Sequence, residues 1–211
     1  MGEKMVFNFV LLLLITATAQ LLGGVISWFF VKKFYRNLKI IILAEILLIL
    51  AVSLLLIEAG LRISFFAVAS VSIGIVTLGI LNKIIPHKHA TKAERIGFLV
   101  FISMCFHEFP EGIAFGSAYL IDPYLGIVTA ILIALHNLPE GSIVSIPYFM
   151  KNKFVDGLKA VSITQFLYII GGLIGYSLLI NLPQQFQALA MTFAAGAMLY
   201  IIGEEFLWIQ E

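Results

Sequence analysis

Apolar residues dominate seven stretches of the chain, and polar residues cluster in the short segments between them. A membrane-spanning helix needs about 20 mostly apolar residues, and each stretch is long enough to provide one. The predicted spans cover residues 6–31, 40–61, 63–85, 96–120, 125–148, 157–180 and 185–207. We therefore predict an all-α fold, a polytopic membrane helical bundle with seven transmembrane helices.

The first span differs from a signal peptide. Its apolar run is longer than a usual signal core, and it ends at Lys32 and Lys33 without a small-residue cleavage pattern. We therefore interpret it as a true transmembrane helix.

Composition agrees with a membrane protein and leaves room for one domain. Of 211 residues, 61% are hydrophobic and 12% are charged, whereas soluble domains carry about 25% charged residues. No hydrophilic region is long enough for a second domain, so residues 1–211 are interpreted as a single integral-membrane domain. The sequence shows no nucleic-acid surface, phosphate loop or nucleophile triad, and its single cysteine, Cys105, excludes an internal disulfide framework. The lipid bilayer is the first predicted partner.

Positive charge is segregated to one side of the predicted spans. Eleven of the thirteen Lys and Arg residues lie in the segments after spans one, three and five, and only Lys4 and Arg62 lie on the other side. Because cytoplasmic loops carry the excess of Lys and Arg, we predict an N-terminus outside and a C-terminus inside. The short loops and the lack of an organellar signal favour a prokaryotic inner (plasma) membrane.

Two related motifs bring ionisable groups into the middle of spans four and five. The first is CFHEFPEGIAFG at 105–116, and the second is LHNLPEGSIVSIP at 135–147. Each lies about 12 residues, or ~18 Å, from either end of its span. The short link at Asp122 and Pro123 makes the two helices antiparallel neighbours. The motifs are therefore predicted to meet near the membrane midplane.

A carboxylate at the bilayer centre costs about 2.5–3.5 kcal/mol on insertion scales. Neither span contains a Lys or Arg that could pair with its acidic residues. Protonation or a bound cation could neutralise them. The neighbouring histidines favour the cation, because imidazole and carboxylate together are ordinary ligands of first-row divalent metals.

Helical spacing divides the polar residues into two candidate metal sites. Glu111 lies about 40° from His107 and about 60° from Glu108 around the helix, and Glu140 has the same relation to its neighbours. One predicted site consists of His107, Glu111, His136 and Glu140. A second, weaker site would use Glu108 and Asn137, with the central carboxylates bridging. The alternatives are a hydrogen-bonded core network for the first group and supporting or pore-lining roles for the second pair.

Two prolines, two glycines and one further acidic residue inside the predicted spans also suggest functional roles. Pro110 and Pro139 each remove a helical hydrogen bond, and irregular backbone at this depth is tolerated where it is buried or lines a cavity. Gly112 and Gly141 allow close approach of a partner helix or an ion. Glu45 falls inside span two, where it is either functional or extends towards the nearby membrane surface.

The two motifs resemble the fourth- and fifth-helix motifs of the ZIP (Zrt/Irt-like) family of divalent metal transporters. Weaker likeness extends to LLLIEAG at 54–60, LNKIIPHKH at 81–89 and FAAGAMLYIIGEE at 193–205. The resemblance implies a carrier that forms a homodimer and moves zinc, iron or manganese as substrate towards the cytosol. Cadmium is a further candidate substrate.

The chain departs from the family pattern in three ways. Glu108 stands where many members have Asn. In the sixth helix, Tyr168 occupies the position of a usual Glu, with Gln165 one turn earlier. Family members usually have eight spans, and seven are visible here.

The main prediction is therefore a metal transporter and not an enzyme. One alternative is a non-transporting membrane metal-binding subunit or sensor, favoured by Tyr168 and the span count. Another is an intramembrane metalloenzyme, because HEFPE superficially resembles H-E-x-x-H, although position 111 is Glu and no separate general base is evident. Mixed nitrogen and oxygen ligands accept several divalent metals, so the sequence does not rank them.

Overall fold

The computed structural model describes residues 3–84 and 92–210, with the side chains of 82, 84, 92–100, 102, 103 and 204–210 excepted. Eight helices make up the described chain, and it contains no strand. The helices are α1 (Glu3–Phe29), α2 (Val31–Arg36), α3 (Leu38–Ile63), α4 (Ala67–Ile84), α5 (Lys92–Ile121), α6 (Pro123–Phe149), α7 (Phe154–Leu179) and α8 (Gln184–Gln210). The predicted all-α helical bundle is confirmed.

Each predicted span corresponds to one long helix, and α2 is an additional short helix. Within the described residues, five helices are long and apolar enough to cross a membrane, namely α1, α3, α6, α7 and α8. The apolar part of α4, Ala67–Leu81, is shorter. In α5 the apolar sequence is interrupted by the first polar motif. Part of the predicted basic segment after span three, residues 85–91, lies outside the described residues.

The surface of the bundle is apolar, and much of its interior is polar. Large side chains such as Phe7, Phe65 and Phe66 are 66–85% exposed. In contrast, Gln20 and Thr164 are completely buried. This distribution is what a bilayer requires, because lipid-facing groups must be apolar and polar groups must find partners inside.

Glycines allow three pairs of helices to pack at backbone contact. A Cβ atom at Gly112 of α5 would overlap the carbonyl oxygen of Tyr168 in α7, and one at Gly141 of α6 would overlap that of Gln20 in α1. Likewise, a Cβ atom at Gly74 of α4 would overlap the carbonyl oxygen of Phe193 in α8. Small residues at such crossings bring helices together in membranes. Gly112 and Gly141 therefore allow a partner helix to approach closely, whereas the other predicted role was the close approach of an ion.

The direction of the helices follows from their contacts. Thr16 and Ser27 of α1 meet Asn137 and Ser145 of α6, so α1 and α6 run parallel. The motif helices α5 and α6 run antiparallel, as predicted. Their turn is stabilised by Asp122, whose carboxylate accepts a hydrogen bond from the backbone N–H of Tyr124 at 2.9 Å.

The bundle thus has two ends. At the Asp122 end, where α5 turns into α6, Arg62 and Gln184 line the same cavity as Asp122. At the opposite end, here called the Trp28 end, the Trp28 ring contacts Phe149 and Phe154 at centroid distances of 5.1 and 4.9 Å. The positive-charge pattern predicts that the Trp28 end faces the cytoplasm.

Candidate metal centre

The two motifs lie on helices that continue through their prolines. Pro110 and Pro139 both lie inside an α-helix. The irregular backbone expected at these prolines therefore does not interrupt either helix. Because residues four apart share a face, His107 and Glu111 project together from α5. The Nε2 atom of His107 lies 3.0 Å from Oε2 of Glu111.

The second motif meets the first across the α5–α6 contact. The Nε2 atom of His136 is hydrogen bonded to Oε2 of Glu111 at 3.3 Å. The same nitrogen lies 3.8 Å from Oε2 of Glu140, on its own helix. The rings of His107 and His136 are 5.8 Å apart at an interplanar angle of 71°. Glu111 thus lies between the two imidazoles.

The four side chains form a compact, buried group. Each is at most 1% exposed, and one ligand atom from each lies within 4.8 Å of all the others. In a tetrahedral zinc site with bonds of about 2.0–2.1 Å, ligand atoms are roughly 3.3 Å apart. The widest pair would therefore have to approach by up to about 1.5 Å for the four atoms to reach tetrahedral zinc geometry.

Several polar atoms of the group have no hydrogen-bond partner among the described residues. They are Oε1 of Glu111, both carboxylate oxygens of Glu140, and Nδ1 of both histidines. In the described part of the chain, no Lys or Arg forms a salt bridge with any of the motif carboxylates. A buried polar atom left unpaired costs about 1–3 kcal/mol. The group therefore has both the free electron pairs and the uncompensated charge that favour a bound cation.

On the other flank of the site, Glu108 is held by two amides. Its Oε1 accepts hydrogen bonds from Nε2 of Gln20 in α1 at 2.5 Å and from Nε2 of Gln165 in α7 at 2.7 Å. Thr164 donates to Oε1 of Gln20 at 2.9 Å. The second oxygen of Glu108, Oε2, has no partner in the described part of the chain. One oxygen is thus fixed and the other remains available.

Asn137 and Tyr168 belong to the same flank. Asn137 donates from Nδ2 to the carbonyl oxygen of Thr16 at 3.0 Å, which turns its Oδ1 away from that carbonyl. The hydroxyl groups of Tyr168 and Thr16 are hydrogen bonded at 2.8 Å, and both side chains are completely buried. A phenol therefore occupies the place where the family resemblance expects a carboxylate.

The structure brings all six predicted residues into one buried region. His107, Glu111, His136 and Glu140 form the compact group, whereas Glu108 and Asn137 face α1 and α7. This division matches the two flanks that helical spacing predicts. The ligand roles themselves remain predictions.

Sequence reasoning missed the supporting side chains on the neighbouring helices. Thr16 and Gln20 lie in α1, and Thr164 lies in α7, each inside an apolar stretch. An amide or hydroxyl in such a stretch signals an internal partner, but it does not identify that partner. Glu45 is completely buried, which excludes the alternative that its carboxylate extends to the membrane surface.

Comparison with known proteins identifies one weak relative and no family model. The chain matches no protein-family model. It is 29% identical over 160 residues to the zinc transporter GufA of Myxococcus xanthus, a match that covers 71% of this chain. The match covers 61% of that protein, so the likeness extends over less than two thirds of the relative's length.

Proposed function

We propose that this chain carries divalent transition-metal ions across a membrane, with zinc as a substrate, through the group formed by His107, Glu111, His136 and Glu140. The observation that carries the proposal is the arrangement of these side chains. Two imidazoles and two carboxylates from facing helices converge inside a bundle with an apolar surface, and no Lys or Arg among the described residues pairs with them. The similarity to a protein named as a zinc transporter supports the same conclusion.

Charge balance explains why a divalent ion suits this group. Two ionised carboxylates carry a charge of −2, and two neutral imidazoles supply nitrogen donors without adding charge. A divalent cation therefore neutralises the group completely, whereas a single proton does not. Zinc takes four such ligands in tetrahedral geometry, and iron, manganese and cadmium accept related donor sets.

A transport site must release its ion as well as bind it. The group contains no thiolate, and Cys105 is not among its residues. Nitrogen and oxygen donors bind zinc with exchangeable bonds, which suits passage. Because the four side chains are almost completely buried, the ion enters and leaves only when the surrounding helices separate.

Membership of the ZIP family would account for the paired motifs and for the match to a zinc transporter. It would also give the direction of transport, towards the cytosol and the predicted basic side. The homodimer and the prokaryotic inner membrane remain predictions of the same kind.

The test is zinc uptake by the purified full chain in liposomes. Radioactive zinc should accumulate with the wild-type protein, and Glu111→Ala should reduce the initial rate to that of protein-free vesicles. Glu58→Ala is the matched control, because Glu58 is exposed and pairs with Arg62 on the same helix. Equal rates for the wild type and Glu111→Ala would rule out a carrier that uses this site. Zinc binding without flux would instead indicate a sensor or metal-binding subunit.

A further inference from the structure

Glu45 is a buried acid that the predicted metal site does not include. Its side chain is completely buried in α3. It lies on the inward face of that helix, together with Ile49, Val52 and Leu56. The carboxylate therefore points into the bundle and not towards lipid.

The neighbours of Glu45 place it beside the metal centre. Ile42 and Ile46 of α3 share one apolar cluster with Ile143 and Val144 of α6. Those α6 residues lie three and four residues after Glu140, about one helical turn further along. From the helix rise, Glu45 lies about 10 Å and Glu140 about 13 Å from the helix termini at the Trp28 end. The two carboxylates therefore lie at similar depth, on the Trp28 side of the histidines.

The carboxylate of Glu140 lies close enough to those of Glu108 and Glu45 to interact electrostatically with both. Both oxygens of Glu140 lack a hydrogen-bond partner among the described residues, and its nearest basic atom is Nε2 of His136 at 3.8 Å. Two like charges in a medium of low dielectric constant repel strongly. A cation between them would remove the repulsion and would give Glu140 the partner that it lacks.

On the other flank the polar groups are engaged with neighbouring helices, although Oε2 of Glu108 has no hydrogen-bond partner among the described residues. There Glu108 and Asn137 are tied to α1 and α7 by hydrogen bonds from or to Gln20, Gln165 and Thr16. An ion that left on that side would have to break this network.

We infer that Glu45 is a cation-binding residue, and that with Glu140 it forms a carboxylate pair that receives the divalent ion as it leaves the four-residue group towards the Trp28 end. The inference rests on the proposed function. Oxygen ligands alone bind zinc less tightly than a set that includes imidazole. A pair of carboxylates after the imidazoles therefore lowers the affinity stepwise along the path, which favours release.

The first test compares Glu45→Gln with the matched control Glu58→Gln, a surface position on the same helix. Both purified proteins are assayed for zinc uptake in liposomes and for equilibrium zinc binding in detergent. Glu45→Gln should lower the maximal uptake rate at least about tenfold, while the affinity for zinc changes by no more than about threefold. Glu58→Gln should match the wild type in both assays.

Unchanged uptake by Glu45→Gln would overturn the inference and leave the proposed function standing. So would equal losses of uptake and binding, since they would indicate that Glu45 only supports the fold. Failure of the wild type to transport zinc would refute the proposed function itself.

A second variant tests the same point through a gain of affinity. Glu45→Cys puts a thiolate opposite Glu140, and thiolates prefer soft metals such as cadmium. Cadmium should then inhibit zinc uptake at a concentration at least about tenfold lower than in the wild type. Cys105 is present in both proteins, so it cannot account for the difference. Unchanged cadmium sensitivity in a folded Glu45→Cys protein would overturn the inference, even if Glu45→Gln does not fold.

Discussion

Replacing Glu111 with Gln keeps the shape of the side chain but removes its charge. In the wild type, Oε2 of Glu111 lies 3.0 Å from Nε2 of His107 and 3.3 Å from Nε2 of His136. It is therefore the carboxylate oxygen that both imidazoles contact. We expect the substitution to act in opposite directions on the metal-free and the zinc-bound protein.

The expected magnitude follows from linkage between binding and folding. At a free zinc concentration of 100 Kd, a site that exists only in the folded state stabilises it by about 2.7 kcal/mol. If loss of Glu111 weakens binding about 100-fold, the same zinc concentration stabilises the variant by only about 0.4 kcal/mol. For a chain of this size these values correspond to increases in Tm of roughly 5–11 °C and 1–2 °C. Without metal, Glu111→Gln should melt no lower than the wild type, because the substitution removes a buried charge that no described Lys or Arg pairs with, while the amide can still hydrogen bond to an imidazole.

The assay is thermal unfolding of the purified chain in detergent, with a chelator and with zinc. Glu58→Gln is the control, since an exposed ion pair contributes about 0–1 kcal/mol and does not touch the site. An increase in Tm of Glu111→Gln on adding zinc that equals the wild-type increase would refute the reasoning. So would a metal-free variant that melts far below the wild type, because Glu111 would then be part of a structural network.

Three further predictions concern the surroundings of the site. Gln165→Leu removes one hydrogen-bond donor from the buried Glu108 carboxylate and should lower the free energy of unfolding by about 1.5–3 kcal/mol. Thermal or denaturant unfolding measures this change, and an unchanged free energy of unfolding would contradict the hydrogen bond. Gly112→Ala places a methyl group against the Tyr168 backbone and should destabilise the chain by about 1–3 kcal/mol. Gly203→Ala should instead be neutral or stabilise the chain by up to about 1 kcal/mol, because no described atom would lie within 4 Å of the added methyl group. Initial rates of zinc uptake should fall as the pH decreases from about 7.5 to 5.5, because protons compete with the metal for imidazole and carboxylate atoms; a flat profile would argue against these ligands.

Hydropathy and motif spacing predict much of the fold and the central site. The long helices follow from apolar length, and the meeting of α5 and α6 follows from the short turn at Asp122. The 3.6-residue period places His107 and Glu111 on one face of α5. That face meets His136 because α5 and α6 are adjacent in sequence. Local pattern is sufficient where the partners are joined by a tight turn.

The surrounding contacts could not be predicted in the same way. Gln20 and Gln165 meet at Glu108 although they lie on helices far apart in the chain. An apolar helix has no strongly polar face that would identify its neighbours, so hydropathy alone does not determine which helices pack together. For Glu45 the same limit applies, because its orientation depends on how α3 lies against α6. The interruption at Phe30 that separates α2 from α1 also lies within a run that remains apolar as far as Val31.

The contact between Gly112 and the backbone of Tyr168 has a consequence for the proposed metal site. Glu108 is one turn before Gly112, and its amide partner Gln165 is almost one turn before Tyr168. The spacing of the two backbones at the glycine therefore sets the distance between the carboxylate and the amide. A residue with no side chain would in this way influence the coordination of a metal that it never touches.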